Sequence, residues 1–196
     1  MGKSKTYSGF NDKTAENLLL DAGAFFANFQ VGTDTFETAS AKLLGATRGG
    51  GKFVAKPSIR SIGVDGVKGR AKGLQVIDNW DVSLSANILE INKATLTKAL
   101  TATNAIDDST TDGYSIITAK NYIELTDYIE NVTYVGKISG SEKPVIIQIY
   151  NALNIDGLSL QTKDKDEAVI ALNFVGTYDT KTLDVPPFKI FYPKTA

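Results

Sequence analysis

An antiparallel β-sandwich or partly closed barrel, with one flanking α-helix and one long extended arm, is the fold this sequence predicts. Three observations carry that expectation. Apolar residues recur mostly with period two, the signature of half-buried strands. Gly, Asn, Asp and Pro turn clusters separate these short runs at intervals typical of all-β domains. Only one segment shows helical spacing together with a start signal.

The elements follow in chain order. Residues 1–16 form an N-terminal extension ahead of the first apolar run. Leu18, Leu20, Ala22, Ala24 and Phe26 alternate with Leu19, Asp21, Gly23, Phe25 and Ala27. This strand is apolar on much of both faces, so it is either central or turns one face to another subunit. Residues 45–73 are long, Gly-rich and basic, with little apolar periodicity and an Asp65-Gly66 type I′ turn signal. A loop of this length inside a compact domain is uncommon and usually functional or disordered. It is read as an extended hairpin arm ordered by another copy of the chain. Trp80, Val82, Leu84, Ala86 and Ile88 then alternate with polar residues, with Trp80 assigned to the core.

A helix is expected over residues 93–102. Asn92 is its N-cap, Ile91 and Leu96 form a hydrophobic staple, and Leu96, Ala99 and Leu100 make its apolar stripe. Val132, Tyr134 and Ile138 mark a strand in which Gly136 sits at a bulge or close approach. Residues 140–144 turn the chain into the next run, Val145, Ile147 and Ile149. Turns at 154–157 and 163–166 precede Ala168, Ile170, Leu172 and Phe174, and Phe188, Ile190 and Tyr192 close the chain.

Length and composition bound the function. The 196 residues suit one domain, and 42% hydrophobic content is enough for a core. There is no Cys and no His. Disulfides, thiolate nucleophiles, the usual zinc sites and histidine-based catalysis are therefore excluded by inventory. No apolar stretch approaches the roughly 20 residues that span a bilayer, and no signal peptide precedes Leu18. Residues 1–75 carry net charge +5 and residues 76–196 net −6. Opposite blocks of this kind suit head-to-tail contacts between copies.

The chemistry-bearing motifs fail on inspection. A phosphate-binding loop ending at Gly51-Lys52 would need Gly where Ala46 stands and Ser or Thr where Phe53 stands. A calcium loop starting at Asp108 would need an acid where Thr110 stands and Glu where Ala119 stands. Asp164, Asp166 and Glu167 read as solvating a turn, and Asp81 and Glu90 as exposed strand acids. Gly2 with Thr6 touches a myristoylation pattern, and Asn131-Val132-Thr133 a glycosylation sequon expected to be idle. No cofactor, metal or catalytic residue is assigned, and the chain is read as non-enzymatic. The arm's cations Arg48, Lys52, Lys56, Arg60, Lys68, Arg70 and Lys72 are assigned to a subunit interface. With Phe53 as their one aromatic neighbour, they offer no stacking platform for nucleic acid.

These segments, in this order, resemble major tail tube proteins of long-tailed, siphophage-type bacteriophages. The resemblance is carried by residues 18–26, the arm with residues 56–69, the strand from Trp80, the single helix, and residues 127–136 and 143–153. It spans about residues 15–192, and related tubes of contractile tails and bacteriocins share it. It implies one tail-tube-like domain, and homohexameric rings stacked into a hollow virion tail tube that conducts DNA without specific binding. It implies assembly in the host cytoplasm, contacts with tape measure, tail terminator and distal tail proteins, no cofactor and no membrane. Acids after residue 76 would line the lumen. A non-enzymatic β-sandwich binding module, for instance for carbohydrate, is the alternative, with Tyr114, Tyr122, Tyr128 or Tyr150 as its aromatic platform.

Overall fold

The computed structural model describes residues 9–108 and 113–194. Seven strands form it: β1 (Leu19–Ala27), β2 (Thr47–Ser61), β3 (Gln75–Ile88), β4 (Ile129–Ile138), β5 (Val145–Asn154), β6 (Ile170–Val175) and β7 (Phe188–Phe191), with one α-helix, α1 (Lys93–Leu100). All pairings are antiparallel, in the order β1-β4-β5-β6-β3-β2. β5 pairs β7 through residues 146–149 and β6 through Leu153 and Asn154. The shared strand bends the array into a half-barrel, so the expected mainly β fold with one helix is present.

The core lies inside the curl. Val82, Leu84, Ala86 and Ile88 of β3 meet Val132, Tyr134 and Ile138 of β4, Ile149 of β5, and Ile170, Leu172 and Phe174 of β6. These are the residues that the period-two reading placed on single faces. Trp80 is half-buried at the edge of this core, 5.4 Å from the Phe188 ring. Ala168 and Tyr192 fall just outside their expected strands, and Ile190 and Tyr192 are exposed because β7 is an edge strand.

β1 departs from the expected alternation. Three residues, 21–23, oppose the single Gly136 between the Leu20↔Lys137 and Ala24↔Val135 pairs. Asp21 and Gly23 take φ of +63° and +68° to make this bulge. Ala22 thereby leaves the face it would share with Leu20 and Ala24, and lines a cleft with Phe25 instead. Gly136 is indeed a close approach: a Cβ there would stand 2.3 Å from the Tyr134 hydroxyl. β1 is an edge strand, yet both faces are apolar because each has its own cover. Phe25 joins the main core, whereas Phe26 packs with Phe29 and Ala39 in a second cluster under residues 28–44.

Helix α1 is two residues shorter than expected, since Thr101 takes φ of +71°. The Asn92 side chain accepts from Thr95 N at 2.9 Å, and the Thr95 hydroxyl accepts from Asn92 N at 3.1 Å, a reciprocal capping box. Ile91 is exposed, and the most buried helix residues are Ala99 and, unexpectedly, Thr95. Thr95 tolerates burial because its hydroxyl also donates to Glu90 O at 2.9 Å. Asn154 of β5 ties the helix down by donating to Ala99 O at 2.7 Å. Residues 140–144 turn β4 into β5, and Gly140 N donates to Glu16 O at 2.8 Å, which pins the end of the N-terminal segment. Gly2, Thr6 and Thr110 lie outside the described residues. No helix among the described residues is long and apolar enough to cross a membrane.

Candidate assembly interface

The two end strands of that order, β1 and β2, approach each other without pairing. β2 carries its own bulge, residues 48–50 opposite Asn87, with Gly49 and Gly50 at φ of +79° and +68°. This bulge meets that of β1: a Cβ on Gly50 would stand 3.7 Å from Ala22 Cβ. Paired bulges interrupt both edge ladders, so the barrel stays open. Between them is a cleft of about 460 Å³ lined by Leu19, Phe25, Phe53 and Tyr134, with Asp21 and Lys52 also on its wall. Burial and the neighbouring Asp21 charge both push the Tyr134 phenol up from its usual pKa.

From this meeting point β2 and β3 run on as a hairpin. β3 pairs β6 only from Ser83 to Ile88. Below that, Phe53 and Trp80 rest on Phe188, at 5.9 and 5.4 Å between rings, and Trp80 N donates to the Tyr178 hydroxyl at 2.8 Å. The first half of the expected arm is therefore part of the body. Only residues 58–79 continue as a two-stranded ribbon, and the second strand of the hairpin is β3 itself rather than part of 45–73. Pro57, opposite Trp80, fits because the outer edge of β2 needs no donor there. At the ribbon tip Val67 N donates to Val64 O at 3.1 Å. Gly66 alone takes a positive φ, so this turn is not type I′.

The ribbon is apolar as well as cationic. Ile59 and Ile77 are direct cross-strand partners, 55% and 54% exposed, and Ile62, Val64 and Val67 are exposed beyond them. Sequence reasoning weighed only the charges. The spacing Ile59, Ile62, Val64, Val67 was legible, but reads as weak periodicity unless the segment is known to be a ribbon.

The seven assigned cations divide into three groups. Arg48 donates to Asp166 at 2.6 Å and Glu167 at 3.0 Å in its own chain. Asp166 and Glu167 therefore latch the root of β2 rather than merely solvating a turn. The hydrogen bond from Arg48, aided by its charge, holds the Asp166 carboxyl below its ordinary pKa. Arg60 spans both Asp78 oxygens at 3.2 Å on the ribbon surface. Lys52, Lys56, Lys68, Arg70 and Lys72 form no ion pair among the described residues. Several acids of the C-terminal part are also spent in-chain, Glu124 and Asp127 on Lys120 at 2.6 and 2.9 Å.

Other sequence candidates resolve simply. Glu90 accepts from Ala46 N at 2.8 Å, and Asp81 from Asn79 at 3.0 Å. Asn131 of the sequon is buried, and its side-chain oxygen accepts from the Thr133 hydroxyl at 2.7 Å. Among the described residues no three acidic side chains gather to hold a metal ion. Tyr114 and Tyr122 are exposed, whereas Tyr150 is half-buried and donates to Gln148 at 3.0 Å.

The surface as a whole is large. A folded monomer of 21.0 kDa exposes about 9,000 Å² by the usual scaling, and this chain exposes 13850 Å². A scan against models of protein families finds no match to this chain, and a search of curated proteins finds none.

Proposed function

We propose that this chain is a structural subunit that assembles with copies of itself, in the manner of phage major tail tube proteins. In this reading six copies close a ring, and rings stack into a hollow virion tube that passes DNA. The observation that carries it is the ribbon of residues 58–79, whose apolar pair Ile59 and Ile77 and apolar tip stand about half exposed. A two-stranded ribbon is marginal in water by itself, so a partner that buries it supplies what the lone chain lacks. A closed ring uses heterologous contacts, one patch on a different one, and the unequal edges β1 and β2 suit that geometry.

Electron microscopy and sedimentation of the purified protein test this reading. The intact chain should form rings or tubes. A variant with residues 59–78 replaced by Asn-Gly should remain a folded monomer, because every strand contact to the core is kept. Removing residues 49–70 instead would delete Phe53 and Ala55, which pack against the core. An intact chain that stays monomeric at high concentration would refute self-assembly. Selective retention of that monomer by a glycan would favour the carbohydrate-binding alternative.

A further inference from the structure

The outer face of the β1-β4-β5 sheet is only half covered. Phe26, Phe29 and Ala39 seal one part of it. The rest opens as a groove of about 980 Å³ between β1, residues 32–37 and the turn before β5. Its apolar wall includes Leu20, Ala24, Val135 and Ile146, and Phe36 stands at its rim, edge-on to Phe26 at 5.8 Å. The charged lining holds four acids, Asp21, Asp34, Glu37 and Glu142, against two lysines, Lys137 and Lys143. Asp34 is paired with Lys42 at 2.6 Å, and a hydrogen bond from Thr35 pulls the Glu37 carboxyl below its ordinary pKa. Glu37 and Glu142 form no ion pair among the described residues.

We propose that this groove seats the ribbon tip of a second copy of the chain. The inference rests on the self-assembly reading and names its acceptor surface. The two surfaces match in chemistry: the tip offers Ile62, Val64 and Val67 with Lys68, Arg70 and Lys72 against the one acid Asp65. An apolar wall with excess carboxylates is the complement of an apolar tip with excess cations. The reach of the ribbon favours a contact between copies. Five successive antiparallel pairings leave β2 antiparallel to β1. From the Gly50–Ala22 contact, β1 has three residues left to its start, whereas β2 has eleven to Ser61, roughly 36 Å at 3.3 Å per residue. The tip therefore lies past the start of β1, beyond the β1 residues that line its own groove.

The chain has no cysteine, which makes disulfide trapping clean. Val67→Cys with Glu142→Cys places one thiol on the tip and one on the groove lining, both at exposed sites. Under mild oxidation this protein should give a ladder of covalent multimers that a reductant collapses. Val67→Cys with Leu183→Cys, an exposed site that does not line the groove, should give at least tenfold less. In parallel, Lys68→Glu, Arg70→Glu and Lys72→Glu together should abolish assembly, and adding Glu37→Lys and Glu142→Lys should restore it. If the unaltered chain assembles but the two cysteine pairs cross-link equally, or the reversed charges fail to restore assembly, the groove inference alone falls. If the unaltered chain never assembles, the proposed function falls and the groove inference with it.

Discussion

Gly51 shows how much one residue decides here. Its φ is ordinary, so conformational freedom is not the reason for glycine. A Cβ at this position would stand 2.2 Å from Ser85 O and 2.4 Å from Phe25 Cζ, and neither backbone nor buried ring can yield cheaply. Gly51→Ala should therefore cost about 1–3 kcal/mol, the range for overpacking a well-filled interior, read as a lower denaturant midpoint at unchanged m-value. Gly49 and Gly50 answer to a different cause, the left-handed backbone of the bulge. The triple glycine thus holds two requirements in three residues, close packing and backbone reversal. Composition alone suggests only a flexible stretch, because neither the Phe25 ring nor Ser85 is near in sequence.

At the scale of elements, the helix and the hairpin root each hang on a few polar contacts. Asn92→Ala removes the acceptor of the capping box and should cost about 1 kcal/mol, with helix content near native, by chemical denaturation and circular dichroism. The Arg48 latch acts on the root of β2. Because Asp166 is held below its ordinary pKa, its stabilisation is complete above the normal carboxylate range and is lost as pH falls through that range to the lowered folded-state pKa. The stability difference between the wild type and Arg48→Gln should thus be present at pH 7 and shrink as pH falls below the ordinary carboxylate range, in denaturation midpoints taken across that range. The helix cap was legible from Asn92 alone, since capping is local. The latch was not, because Arg48 and Asp166 are 118 residues apart. The β1 bulge was hidden for a related reason: Gly23 and Gly136, 113 residues apart, both leave room for the Tyr134 ring.

At the scale of the whole molecule, the open half-barrel has edges at β1, β2 and β7, a half-exposed ribbon and a half-covered outer face. Long exposed edges and apolar faces normally invite association. This chain guards its edges with bulges at 21–23 and 48–50 and with Pro57, and leaves the ribbon and groove uncovered. Edge-to-edge aggregation is thereby disfavoured while specific contact is left open. Sedimentation should accordingly show concentration-dependent growth of discrete oligomers, without the amorphous material expected from exposed sheet edges.

The sequence by itself determined the faces of β3, β4, β5 and β6, the helix start and the lack of any cysteine or histidine. Each depends on local periodicity, local capping or inventory. Tertiary structure alone decided where the arm leaves the body, which cations are free and which are spent, and that the outer face of β1 opens as a groove. Those outcomes depend on pairings between residues far apart in the chain, and side-chain periodicity records which face a residue takes but not what will lie against it.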